Sequence, residues 1–132
     1  MIPVIGNNLN VEFETMPSLN YKMNIEEETV INKCDKLEAM KQVIYKILNT
    51  ERYQYLIYSW NYGIELADLF GEPVYYVVPE LERRITEALM QDDRIESVTD
   101  FQFDTSKRGT VACTFTANTI FGTVEAESVV MY

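Results

Sequence analysis

The chain of 132 residues contains no histidine, and its only cysteines are Cys34 and Cys113. Without imidazole, neither a Cys-His nucleophilic pair nor a zinc-ligand spacing can be assembled. No cofactor, no metal site and no catalytic residue are expected. The cysteines read as two free thiols. A bridge between them is the alternative, and the lack of a secretion signal weighs against it. Cys113 alternates with apolar neighbours, which makes it a small core residue before a reactive one.

Basic side chains are also scarce. Against 21 Asp and Glu there are 11 Lys and Arg, a formal charge of −10, so a phosphate backbone or an anionic bilayer meets net repulsion. Neither nucleic acid nor membrane is an expected partner. Nowhere does the sequence offer the roughly 18 consecutive apolar residues of a spanning helix. The opening "MIPVIGNNLN" has no basic segment leading into an apolar run, which suggests a cytosolic product. Five glycines and four prolines leave few breaks, and 47% hydrophobic residues suffice for one core.

Residues 1–17 mix Asn, Gly and two prolines with isolated apolar side chains and read as an extended arm. The single domain is expected to span 18–132. In "SLNYKMNI", Leu19, Tyr21, Met23 and Ile25 alternate with polar residues, the period of a half-buried strand. "EEETVIN" then either extends that strand or turns the chain. Asp35 suits an N-cap, and Leu37, Met40, Ile44, Ile47 and Leu48, with Val43, predict a helix over Lys36–Leu48. "RYQYLIYS" favours a strand by its aromatic and β-branched content, a continued helix being the alternative. "WNYG" reads as a turn and "IELADLFG" as a short helix ending at Gly71. Pro79 suits the first turn of the next helix, whose stripe is Leu81, Ile85, Ala88 and Leu89 and whose end lies near Gln91.

The last forty residues carry the clearest pattern. Phe101 and Phe103, then Val111, Cys113, Phe115 and Ala117, then Val124, Ala126, Ser128 and Val130 alternate with polar positions, with "TSKRG" and "TIFG" between them. This predicts a C-terminal three-stranded antiparallel meander. The fold class is α+β, with helices packed on one face of a mostly antiparallel sheet.

Chemistry without histidine would rest on shifted carboxylates, tyrosines or lysines. Glu51 with Glu65 or Asp68 could imitate a glycosidase pair, although solvated surface carboxylates explain them more simply. "DDR", Asp92 to Arg94, lacks the spaced oxygens of a calcium loop and reads as a helix-to-strand turn held by charge-assisted hydrogen bonds. Tyr53, Tyr55, Tyr58, Trp60 and Tyr62 form the densest aromatic cluster. Strand alternation lets at most half of that set fill one core face, so core and interface readings both stand.

The order "DKLEAMKQVIYKILNTERYQYLIYSWNYGIELADLFGEP", a helix, "QDDRIESVTDFQF" and a meander resembles the gp25-like family of contractile phage tail baseplate wedge proteins. It is nearest to the small tail proteins of Bacillus-type defective prophages. The likeness runs from about Ser18 to Tyr132. Glu51 and Arg52 fall on the family's Gly-Glu-Arg turn, with Thr50 in place of Gly. Tyr62 and Gly63 fall on its aromatic-Gly, and Leu66 on the apolar residue that follows. Where the family has Glu-Pro-Arg, this chain has Asp92, Asp93 and Arg94, then Ile95.

The resemblance implies a structural, non-enzymatic component of the baseplate in the virion tail. It would be present in multiple copies, beside other wedge proteins and tail tube or sheath subunits, and would present a sheet edge on which sheath strands add. On this reading Glu51, Arg52, Asp92 and Arg94 fix turns, and Trp60 and Tyr62 dock. Val129, Val130 and Met131 then form an apolar run to be covered by a partner, the alternative being an internal strand. A lysozyme-like hydrolase depending on Glu51 and a soluble regulatory adaptor are the rival functions.

Overall fold

A computed structural model describes residues 14–132, so most of the expected arm, residues 1–13, lies outside the described residues. Strands β1 (Asn20–Asn24) and β2 (Thr29–Cys34) form an antiparallel hairpin, which decides "EEETVIN" in favour of a turn followed by a second strand. Tyr21 and Ile25, expected to be half-buried, are exposed, as is Leu19 just before the strand. The reason is topological: β1 and β2 make a sheet of their own that meets α1 only around Gln42, Met23 and the buried Cys34, so most of the alternation has no facing layer among the described residues. A bulge falls between Tyr21 and Met23. There the Gln42 side chain accepts from the Met23 N–H at 2.8 Å and donates to the Tyr21 carbonyl at 2.6 Å, satisfying backbone groups that the bulge takes out of the ladder.

Helix α1 (Lys36–Leu48) has the predicted bounds, with Asp35 as N-cap. It buries Ala39, Met40, Ile44, Ile47 and Leu48 on one stripe. Helix α2 (Val74–Met90) begins earlier than expected and contains Pro79 in its interior. The proline is exposed and the missing N–H would have met the carbonyl of exposed Tyr75, a group that water can satisfy. Val74, Val77, Leu81, Ile85 and Ala88 continue one helical stripe across the proline, and burial of Val77 and Leu81 holds the extra turn.

Strands β3 (Ile95–Asp104), β4 (Thr110–Thr119) and β5 (Gly122–Met131) form the expected antiparallel meander in the order β3-β4-β5. Register runs unbroken from Thr119↔Gly122 to Thr110↔Met131. Val111, Cys113, Phe115, Ala117, Val124 and Val130 point to one face, where they share a core with Met40, Ile44, Leu81, Ile85 and Leu89. α1 lies against β5 and α2 against β3. The architecture is α+β, with both helices covering one face of the meander. Phe101 stacks between Phe103 and Phe115, at centroid distances of 6.0 and 5.5 Å. Both cysteines are free and buried, and burial pushes the Cys113 thiol up to about 12, which fits a core residue and not a nucleophile.

The segment between the helices departs most from expectation. "RYQYLIYS" forms neither strand nor helix but a series of turns, and the short helix at "IELADLFG" shrinks to one 3₁₀ turn, Ala67–Leu69. Among the described residues no strand pairs with "RYQYLIYS", so its β propensity has no ladder to join.

Candidate functional site

After α1 ends, residue 51 makes an isolated parallel bridge with Ile64. The Ile64 N–H donates to the Thr50 carbonyl at 3.0 Å and the Arg52 N–H to the Ile64 carbonyl at 3.1 Å. Gly63 makes this crossing possible. Its φ is +88°, and a Cβ there would sit 2.5 Å from the Thr50 carbonyl oxygen, so no larger residue fits without moving the backbone.

Glu51 and Arg52 lock the crossing from two sides. The Glu51 carboxylate accepts from the backbone N–H of Leu66 at 3.0 Å and of Ala67 at 3.1 Å, capping the start of the 3₁₀ turn where free donors favour an anion. Arg52 forks onto both carboxylate oxygens of Glu87 in α2, at 3.1 and 2.9 Å, and also donates to the Gly63 carbonyl at 3.1 Å. Burial works against its charge, but Glu87 outweighs that and holds the guanidinium above its ordinary range.

The sequence reading missed a second clamp. Arg84 occupies the buried stripe of α2 and forks onto Asp68, while donating to the Glu65 carbonyl at 2.9 Å and to Glu80 at 3.1 Å. The hydrogen bonds from Arg84 hold Asp68 below the usual carboxylate range. An arginine at a stripe position, between Leu81 and Ala88, was the available signal. Glu51 and Asp68, two of the three carboxylates considered for hydrolysis, are thus occupied in holding this segment, whereas Glu65 contributes only its backbone carbonyl to the clamp.

Asp92 and Arg94 form the third clamp. Arg94 is 5% exposed and donates from Nε and Nη2 to the two oxygens of Asp92, at 2.9 and 2.7 Å, while Nη1 reaches the Pro17 carbonyl at 3.0 Å. The Arg94 carbonyl accepts from Ile120 in the β4–β5 turn. One arginine therefore joins the end of α2, the segment entering β1 and the tip of the last hairpin. Burial raises the Asp92 carboxyl, but hydrogen bonds from Arg94 overcome it and leave Asp92 below its ordinary value. The expected charge-assisted turn is present, with its groups directed inward.

Between these clamps the aromatic segment faces outward. Leu56 is fully exposed and Ile57 and Trp60 are each 86% exposed. Tyr53, Tyr55 and Tyr58 are also exposed, so the core reading fails for all but Tyr62, which is half-buried against the core. Tyr62 stacks on Tyr58 at 4.4 Å, and Tyr58 meets Tyr55 edge-on at 6.0 Å. Tyr55, Tyr58 and Tyr62 thus form a connected ledge rooted at Tyr62, and Tyr53 is exposed beside it without a ring partner among the described residues. Trp60 lies outside those stacked pairs.

Among the described residues β5 is, with β3, one of the two edge strands of its sheet. Alternate N–H and C=O groups along it are directed away from β4. At its end Val130 is buried, whereas Val129 and Met131 are 63% and 68% exposed on the opposite face. The three-residue run is therefore split between core and surface.

Two comparisons bear on this arrangement. A family profile described as "Contractile injection system sheath initiator" matches residues 18–122. The chain is similar to the "Phage-like element PBSX protein XkdS" of Bacillus subtilis (strain 168), at 40% identity over 128 residues, which covers 92% of this chain and 89% of the relative. A role in building contractile tails, related to the sheath and structural in kind, accompanies that match. The chain belongs to the contractile injection system sheath initiator family.

Proposed function

We propose that this protein is a baseplate wedge component that starts sheath assembly by accepting a strand from a sheath subunit along β5. It is held in several copies around the tail by other wedge proteins and the tube. The observation that carries this reading is that, among the described residues, the outer edge of β5 is unpaired, because an open ladder of backbone donors and acceptors is the physical requirement for strand addition. Unlike the other edge strand β3, β5 also borders an apolar groove walled by α1 and β1. The exposed ledge from Tyr53 to Trp60 supports a second contact, since amphipathic rings bring large contact area at low entropy cost. Glu51, Arg52, Asp92 and Arg94 serve it indirectly by fixing the turns that carry the ledge and the hairpin.

On this reading residues 18–132 act as one unit and perform no reaction. Photo-crosslinking residues placed at Glu127 and Val129 in assembling tails test it. Adducts with the sheath subunit are expected, and adducts confined to other proteins would remove the proposal. Purified protein should leave peptidoglycan intact. In lysates it should sediment with tails, as a free adaptor would not.

A further inference from the structure

The two sides of the β5 edge differ in chemistry, and strand alternation converts that difference into a rule for the partner. On the helix-covered face a groove of about 340 Å³ runs beside β5, its apolar lining drawn from Met23, Ile25, Ile44, Tyr45, Leu48 and Ala126, with Glu125 and Glu127 of β5 also bordering it. The α1 and β1 walls also carry Lys41 and the Lys22–Glu38 ion pair. On the open face Glu125 and Glu127 project beside Thr116 and Thr114, their β4 neighbours. The shallow concavity there is lined by Asp100, Gln102, Thr114, Thr116 and both glutamates, with no basic side chain among its lining residues. Among the described residues neither glutamate has an ion-pair partner.

We propose, resting on the strand-addition reading, that β5 selects an amphipathic strand. Its groove-facing side chains are large and apolar, and its open-face side chains beside Glu125 and Glu127 are Lys or Arg. A strand added about 4.8 Å from β5 continues the pleat, so residues beside Val124 and Ala126 point to the groove and those beside Glu125 and Glu127 point to the open face. Opposite charges directly across a ladder attract and like charges repel. Farther along, the open face changes to Val129 and Met131, and the partner's outward residues change to apolar with it. A second copy of this chain is the wrong occupant. Two-fold antiparallel pairing about Ala126 would set Glu125 of one copy against Glu127 of the other, and each chain already carries a net charge of −10.

The test uses eight-residue synthetic peptides with valine at alternate positions and lysine, threonine or glutamate between, titrated into the isotope-labelled full chain. Amide exchange and chemical shifts are read along β5. The lysine peptide should protect Thr123 to Val129 and bind roughly 3- to 10-fold more tightly than the threonine peptide, from two favourable cross-strand pairs. The glutamate peptide should bind weakest. The order should invert in the surface double variant E125K/E127K, whose unchanged melting temperature would show intact folding. A lysine peptide of the same composition in two blocks, charges then valines, should lose the β5 protection. Equal protection by all three alternating peptides, or a lysine advantage that survives E125K/E127K or the block arrangement, overturns the charge rule while leaving strand addition standing. Absence of β5 protection with every peptide overturns strand addition and this rule together.

Discussion

The clamped turns around Arg52, Arg84 and Arg94 and the ledge from Tyr53 to Trp60 lie side by side in the chain and use their residues in opposite ways. In the turns, charged groups are drawn inward and nearly every donor meets an acceptor within the molecule. Arg52 Nε is the one buried side-chain polar atom left without a partner among the described residues. Along the ledge, apolar groups are turned outward and held there. What separates the two is whether a segment lies close enough to α2 or its C-terminal end to share a guanidinium fork with it, as at Glu87, Arg84 and Asp92, because an unsupported loop cannot bury its backbone groups. The rigid half thus presents the exposed half, and the fold spends its ion pairs on placement.

The comparison breaks most visibly at Arg94. Arg94→Ala leaves Asp92 buried without its cation, and a loss of about 3–5 kcal/mol is expected for breaking such a pair, read by denaturant unfolding. Gly63→Ala comes next. Its Cβ would press on the Thr50 carbonyl at a positive φ, and a loss of about 2–4 kcal/mol is expected from strain plus backbone displacement.

Acid should act on the same region. The Asp92 carboxyl is lower in the folded chain than in the unfolded one, so the folded state binds fewer protons. Its contribution is complete above the unfolded value of about 3.9 and disappears as pH falls through the folded value. Unfolding followed from pH 6 to pH 2 should therefore show stability falling below about pH 4, with a shallower slope in Asp92→Asn. Asp68 is shifted in the same direction but is largely exposed, so solvent screening leaves it a minor part.

The smallest effect on stability sharpens the contrast. Trp60→Ser and Leu56→Ser remove exposed side chains, and changes within about 0.5 kcal/mol are expected. If the ledge docks, the same substitutions should lower incorporation into sedimenting tails, which a purely structural ledge would not do.

Much of this molecule is legible in its residue order where interactions are local or strictly periodic. The N-cap at Asp35 and the stripe through Met40 and Ile44 delimit α1, and the alternation from Phe101 to Val130 lays out the meander with its inward face. The Asp92–Arg94 turn is equally local, since donor and acceptor stand two residues apart. Arg84 was harder to read, because its partners Asp68 and Glu65 are brought to it only by the path of the intervening loop.

By itself, then, the sequence determined α1 and the three-strand alternation, properties set by neighbours within a turn or a pleat, and the acidic charge, which composition alone sets. Tertiary structure decided the rest. It carried α2 back across Pro79, because a buried stripe outweighs one missing hydrogen bond at an exposed carbonyl. It left "RYQYLIYS" without a ladder and turned its rings to solvent. Among the described residues it also made β5 an edge, as it did β3, since which strands lack a neighbour depends on how the whole chain closes and not on any residue within the strand.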